Sequence, residues 1–155
     1  MADIPLAACG GIYKEHKILG EYMGENKREQ AFLVLFEASF HDDDIEYIAE
    51  NEKEESRISA AALKEAQNVC KNLNEIDETI KSNLKAWDIK RISKVALAAM
   101  RLAVFEMAYD ESIPAGAAVN EAVELCKKYS SDDEASFVNG VLRAVSGSMT
   151  AGSMQ

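Results

Sequence analysis

The chain has 155 residues, of which 48% are hydrophobic, and a formal net charge of −10 at pH 7. This composition is typical of one globular domain or two small ones, and it argues against a disordered chain. The acidic balance argues against a protein that coats nucleic acid indiscriminately, because such binding needs Lys and Arg to neutralise phosphates. The longest apolar run, VALAAM at 95–100, is too short to cross a bilayer, and no charged-then-apolar leader opens the chain, so we expect a cytoplasmic protein without membrane contact.

Charge is unevenly distributed along the chain. Residues 42–57 hold eight acids against two bases, a balance of −6, whereas residues 85–101 hold five bases against one acid, a balance of +4. A local basic surface is therefore compatible with the acidic total.

The spacing of apolar residues predicts an all-α protein. Apolar residues recur at intervals of three and four, and no Asn-Gly or Asp-Gly hairpin signal lies between alternating runs. A first helix is predicted to begin at Asn26, because Asn26 and Glu29 have the spacing of a capping box, and to continue to about residue 40. Its buried face is expected to carry Ala31, Leu35 and Ala38.

The middle of the chain predicts three further helices. A short acidic helix is expected at about 43–53, a longer one at about 57–73, and another at about 75–85, with Trp87 closing the connection that follows.

A helix over about 88–109 is predicted to be the central buried helix, since it is apolar nearly all round after Val95. Arg101 and Glu106 interrupt it. A buried charge must be paired to be tolerated, so we expect a structural ion network at these two residues, with Glu121 as a candidate member.

Two helices complete the prediction. One opens at Ser112-Ile113-Pro114, because Pro suits a first helical turn, and the last opens at Ser131-x-x-Glu134, a second capping box. Residues 147–155 are small and polar, which predicts a flexible tail. Residues 1–24 show weak periodicity, and they fit equally well as an extension upstream of a functional chain that begins at Met23 or as part of the fold.

The sequence contains no recognisable catalytic or metal-binding constellation, so we expect no enzyme activity, cofactor or metal. Phosphate-loop, nucleophile-elbow and His or Cys pair motifs are missing. His16 and His41 are expected at the surface, and the run Asp42 to Asp44 is expected to be a solvated helix start rather than a cation site. The three widely spaced cysteines are interpreted as buried thiols, namely Cys9, Cys70 and Cys126.

The stretch FVNGVL at 137–142 places Asn139 and Gly140 inside the last helix. Gly there costs about 1 kcal/mol relative to Ala, so we expect a reason other than helix stability. A helical wheel puts Phe137 at the edge of the apolar stripe and Gly140 on its outer flank. Either Phe137 is core and Gly140 a close helix contact, or Phe137 is a partly exposed anchor and Gly140 keeps the surface beside it open. Asn139 and Arg143 suit phosphate or partner contacts, or are merely solvated.

Several short motifs follow one another along the chain in a characteristic order. In the second half they are Trp87-x-x-x-Arg91, Met100-Arg101 with Phe105-Glu106, Ile113-Pro114, Val119-Asn120-Glu121-Ala122 and Phe137-Val138-Asn139-Gly140-Val141-Leu142, and in the first half they are Arg28-Glu29-Gln30-Ala31 with Leu35-Phe36-Glu37. Through these motifs the second half resembles the NusB family of bacterial transcription antitermination factors. The first half resembles the family more loosely, so the resemblance spans roughly residues 27–146.

The resemblance implies about seven helices that form two stacked three-helix subdomains plus a short helix, within a NusB-like domain at 25–146. It also implies a non-catalytic function: binding the boxA element of nascent RNA together with the ribosomal protein that serves as NusE. This binding would occur within a transcription elongation complex that resists termination on ribosomal RNA operons.

Candidate site residues follow from motif position. The family reads RNA with an arginine-rich segment at the start of its first helix, where this chain has Lys27 and Arg28. Lys90 and Lys94, four apart on one predicted helix face, are further RNA-binding candidates. The partner-binding candidates are Phe137, Asp133, Asn139 and Gly140.

Two other functions stay open. The chain could be a NusB-like protein-interaction module whose RNA binding is weakened or lost with the arginine segment. It could also be the regulatory RNA-binding domain of a ribosomal-RNA methyltransferase, a class that carries a NusB-like domain at its N-terminus. A homodimer is compatible with either of these two functions.

Overall fold

The computed structural model describes residues 26–51, 58–85 and 88–153. These ranges contain seven α-helices and a short 3₁₀ helix and no strand, so the all-α prediction is confirmed. Residues 1–24, Trp87 and Cys9 lie outside the described ranges. The α-helices are α1 (Lys27–Ala38), α2 (Ile45–Asn51), α3 (Ala60–Lys71), α4 (Leu73–Ser82), α5 (Lys94–Tyr109), α6 (Ala115–Tyr129) and α7 (Asp132–Ser153).

The chain divides into two units, of which the first ends at Lys71 and the second begins at Asn72. In the first unit, α1 packs against α2 and α3, and α2 packs against α3. In the second, α5 packs against α4, α6 and α7, and α6 packs against α7. Helix α5 is the central buried helix of its unit, as predicted, because ten of its 16 residues are buried.

Helix α1 begins where the sequence predicts. The Asn26 side chain accepts a hydrogen bond from the Glu29 N–H at 3.1 Å, which satisfies a donor that the first turn would otherwise leave unpaired. Ala31, Leu35 and Ala38 are buried as expected, but burial is not confined to their face, because every residue from Glu29 to Ala38 is buried. The reason is the run AFLVLF at 31–36, whose six consecutive apolar residues cover the whole circumference of the helix.

A tight turn joins α1 to α2. Asp42 and Asp43 both adopt the left-handed conformation, with φ of 55° and 61°, and the Asp43 N–H donates to the Ala38 carbonyl at 2.9 Å. Asp44 caps α2 by accepting from the Tyr47 N–H at 3.1 Å. The three aspartates therefore form a turn and a helix cap, as their interpretation as a helix start requires.

The predicted continuous helix over 88–109 was wrong. Asp88 caps a 3₁₀ helix at Ile89–Arg91, Ile92 and Ser93 are extended, and α5 begins only at Lys94. The Ser93 hydroxyl accepts from the Ala96 N–H at 3.1 Å and so caps α5. The break occurs because Ser competes well for the N-cap position, where its side chain replaces a missing backbone acceptor.

The last two helices begin close to their predicted starts. Pro114 directly precedes α6, and Ser131 caps α7 by accepting from the Glu134 N–H at 3.1 Å. Helix α7 continues to Ser153, beyond Ser146, where the sequence predicts fraying. The flexibility of 147–155 stays a prediction. No described helix has the length and apolar character needed to traverse a bilayer.

Candidate functional site

A cleft of about 310 Å³ opens on the second unit, between the segment that leads into α5 and the first turns of α7. Its lining combines apolar side chains with a guanidinium and two carboxylates. The lining residues are Arg91, Ile92, Ser93, Ala96, Asp133, Glu134 and Phe137. Two of the predicted partner-binding residues, Phe137 and Asp133, are therefore brought together in one depression.

Phe137 is half-buried and forms part of the cleft wall. The apolar stripe predicted for α7 is buried as expected, at Val138, Val141, Leu142 and Val145. Phe137 lies at the edge of that stripe, with part of its ring available to the cleft. An aromatic ring in this position is typical of an interface anchor, because a partner can bury the remaining exposed area.

Gly140 lies one turn after Phe137 on α7 and is exposed. A Cβ atom built at this position would meet no atom of the described residues within 4 Å. The interpretation of Gly140 as a close contact between helices was therefore wrong. Within the folded chain nothing requires glycine here, so the conformational cost of Gly140 has no explanation in the packing of the described residues.

Asn139 and Arg143 form a polar pair beside this surface. The Arg143 Nε–H donates to Asn139 Oδ1 at 3.1 Å, and the guanidinium stays exposed. This hydrogen bond leaves other guanidinium donors of Arg143 available for a carboxylate or a phosphate.

The predicted RNA-binding residues fall in both units. Lys27 opens α1, its side chain is 52% exposed, and its Nζ lies 3.8 Å from Glu65 Oε1, while Arg28 is half-buried. Lys90 and Lys94 are both exposed. They do not share a helix face, because Lys90 belongs to the 3₁₀ helix and Lys94 to α5, with two extended residues between them.

Arg101, buried in α5, has the carboxylate partner that a buried guanidinium needs. Its Nε and Nη2 donate to the two oxygens of Asp77 on α4, each at 2.9 Å, in a bidentate pair. Sequence reasoning missed Asp77, although its position next to the buried Ile76 on an amphipathic helix was a signal. The participation of Glu106, which is 1% exposed, and of Glu121 in this network stays a prediction.

The thiol of Cys126 is buried, as the sequence predicts, while Cys70 is half-buried. Burial, with a smaller contribution from the Glu134 carboxylate, raises the pKa of the Cys126 thiol to about 12. At neutral pH this thiol is protonated, so it is a poor nucleophile and metal ligand. Within the described ranges no three His, Cys, Asp or Glu side chains are grouped so that they could hold a metal ion.

Comparison with known proteins identifies relatives over most of the chain. Proteins named transcription antitermination protein NusB from Clostridium botulinum (strain Loch Maree / Type A3) and Acetivibrio thermocellus are each 39% identical to this chain. The first alignment covers 74% of this chain and 93% of the relative, and the second covers 81% and 77%.

Two solved structures share the fold. NusB of T. maritima is 31% identical with a TM-score of 0.67, covering 78% of this chain and 88% of that one. A chain from the crystal structure of a plectonemic RNA supercoil is 30% identical with a TM-score of 0.66, covering 80% and 94%. The family model for NusB matches residues 25–147. The chain therefore belongs to the NusB family.

Proposed function

We propose that this chain is a non-catalytic transcription antitermination factor that binds boxA-type RNA together with ribosomal protein NusE, within the elongation complex on ribosomal RNA operons. Its relatives are named for antitermination, which supports this function over that of a methyltransferase domain. The observation that carries the proposal is the half-exposed Phe137 in a cleft beside the unobstructed Gly140.

The cleft suits a protein partner better than an RNA backbone. Ile92, Ala96 and Phe137 provide apolar surface, while Asp133 and Glu134 supply two carboxylates against the single guanidinium of Arg91. Carboxylates repel phosphates and attract Lys and Arg side chains. We therefore assign the cleft, with Asn139 and Gly140 at its side, to NusE.

RNA is assigned to basic residues outside the cleft instead. Lys27 and Arg28 occupy the family's RNA-binding position at the start of α1, and Lys90 and Lys94 add two exposed cations in the second unit. With so few cations on a chain of net charge −10, RNA affinity should be weak for the protein alone and should rise when NusE contributes its own contacts.

The test is a titration of labelled boxA-type RNA with the protein, with and without NusE, at several salt concentrations. Binding is expected to strengthen with NusE and to weaken with salt. Lys27→Ala should make the dependence of log Kobs on log salt concentration shallower, by roughly 0.7 for one lost phosphate contact. Lys64→Ala, which removes an exposed cation of α3, is the matched control. Binding that ignores RNA sequence, or no binding even with NusE, would contradict the proposal.

One observation favours a second candidate, a protein-interaction module that has lost RNA binding. Lys27 lies 3.8 Å from Glu65 Oε1, so one of the two cations at the family's RNA position already has an anionic neighbour. This candidate predicts tight NusE binding but no measurable contribution of the protein to boxA affinity. The same titration separates the two functions.

A further inference from the structure

A side-chain hydrogen bond connects the two walls of the cleft. The Ser93 hydroxyl, at the entrance to α5, donates to Glu134 Oε1 in the first turn of α7 at 2.5 Å, although the residues are 41 positions apart in sequence. An O–H group bonded to a carboxylate at this distance belongs to the short, strong class of hydrogen bonds. Both side chains line the cleft.

Ser93 uses its hydroxyl in two directions. The oxygen accepts from the Ala96 N–H at 3.1 Å, which caps α5, while the only hydroxyl proton goes to Glu134. The Glu134 backbone N–H in turn donates to Ser131, which caps α7. The bond therefore ties the N-terminus of one helix directly to the N-terminus of the other.

The wall on the Ser93 side has little regular structure of its own. Arg91 ends a three-residue 3₁₀ helix, and Ile92 and Ser93 are extended. The 3₁₀ segment is closed by two backbone bonds, from the Arg91 N–H to Asp88 at 2.9 Å and from the Ile92 N–H to Ile89 at 3.2 Å. Short 3₁₀ segments of this kind open more easily than α-helices, so a bond to α7 limits their movement.

We propose that Ser93 and Glu134 are positioning residues, whose hydrogen bond holds the Arg91–Ile92 wall at a fixed distance from Phe137 and so preforms the cleft for the protein partner. The proposal rests on the function assigned above to the cleft. A preformed site binds more tightly because less conformational entropy is lost when the partner docks. The role of Glu134 is thus distinct from that of Asp133, which lies on the exposed rim.

Substitutions at position 134 isolate this bond from the two helix caps. Glu134→Ala removes the acceptor but keeps the backbone N–H that Ser131 caps and the Ser93 hydroxyl that caps α5. Glu134→Gln keeps an acceptor oxygen and should restore the bond. Glu124→Ala, on the exposed surface of α6, removes one carboxylate elsewhere and is the matched control.

Two measurements test the proposal on the 155-residue chain. Calorimetric titration with NusE should show about tenfold weaker binding for Glu134→Ala, about threefold weaker binding for Glu134→Gln, which keeps the bond but loses the negative charge, and wild-type affinity for Glu124→Ala. Hydrogen exchange of the free protein should show amides 89–96 exchanging about tenfold faster in Glu134→Ala only, with the other helices unchanged.

The outcomes separate this proposal from the proposed function. If wild-type protein does not bind NusE, the function fails, and the exchange data still decide whether the bond fixes the wall. If NusE binds wild type and Glu134→Ala equally well, the positioning role is wrong while the function stands. Unchanged exchange at 89–96 in Glu134→Ala would also overturn the positioning role.

Discussion

Gly140→Ala offers a test in which stability and partner binding should change in opposite directions. Gly140 lies inside α7 and is exposed, and in the part of the chain that the structure describes no atom lies within 4 Å of the place where a Cβ would stand. Ala should therefore fit without displacing any neighbour. If the glycine serves only the folded chain, no penalty is expected from its replacement.

The magnitude follows from helix propensity. Ala in a helix interior is favoured over Gly by about 1 kcal/mol, because Gly loses more backbone freedom on folding. For a chain of this length, 1 kcal/mol raises Tm by roughly 2–4 °C. Gly140→Ala should therefore increase the free energy of unfolding by about 0.5–1 kcal/mol. The added methyl group stands next to Phe137 on the surface assigned to NusE, so NusE affinity should fall by roughly tenfold.

Gly147→Ala is the matched control. Gly147 is on the same helix, two turns further along the same face, and a Cβ there also meets nothing within 4 Å. Gly147→Ala should leave NusE affinity unchanged, and its gain in stability should not exceed that of Gly140→Ala, because Gly147 lies in the segment 147–155 that we predict to be flexible. The assays are urea unfolding followed by circular dichroism and calorimetric titration with NusE.

Two results would contradict the role assigned to Gly140. If Gly140→Ala lowers the free energy of unfolding, then the fold itself requires glycine at this position. If it gains stability and binds NusE as tightly as Gly147→Ala, then Gly140 does not provide clearance for this partner.

Three further predictions concern stability. Asp77→Ala should lower the free energy of unfolding by about 3 kcal/mol in urea titrations, because it leaves the buried Arg101 guanidinium without its bidentate partner; a loss below about 1 kcal/mol would show that the pair contributes little. Asp42→Gly should raise the free energy of unfolding by roughly 0.5 kcal/mol, since φ of 55° is strained for a residue with a Cβ. A loss of stability would show that the contacts of the Asp42 side chain contribute more than the relief of backbone strain. The pKa of the Cys126 thiol is raised from 9.0 to about 12, so the folded chain holds this proton more tightly than the unfolded chain. The contribution of this group to the free energy of unfolding should therefore be fully present below pH 9 and should decrease as the pH rises from 9 toward 12. The decrease in the free energy of unfolding over this pH range should be smaller in Cys126→Ala. An identical decrease in both proteins would show that Cys126 is not its source.

Local hydrogen bonds were the most predictable part of the fold. The caps at Asn26 and Ser131 and the start of α6 after Pro114 all follow from residues within one turn of the helix end. Such contacts form wherever the chain becomes helical, whatever packs around it. The buried stripe of α7 was predictable for a similar reason, since its period is a property of the helix itself.

The break before α5 shows where periodicity misleads. Ile89 and Ile92 continue the apolar spacing of the helix that follows, so the pattern alone extends the helix back to about 88. The structure places these residues in a 3₁₀ helix and an extended segment. The available signal was Ser93, a favoured N-cap residue directly before a long apolar helix.

The geometry of the site depended on contacts that sequence spacing does not encode. The bonds from Ser93 to Glu134 and from Arg101 to Asp77 join residues 41 and 24 positions apart, and each needs two helices to be packed in one register. Residue types showed that Arg101 needed an acid but not which acid. Likewise, FVNGVL left two roles for Gly140 open, and only the empty space around it excluded a helix contact.

The proposal that Phe137 and its cleft receive NusE is tested by calorimetric titration of NusE into wild-type protein and Phe137→Asp. Because Phe137 is only half-buried, Phe137→Asp should keep wild-type helicity and melt near the wild-type temperature, yet lose NusE binding by about a hundredfold or more. Ser136→Asp, which adds the same charge at the neighbouring exposed position, should bind normally. If a folded Phe137→Asp variant binds NusE with wild-type affinity, or if its helicity collapses, then Phe137 is not a surface anchor for NusE.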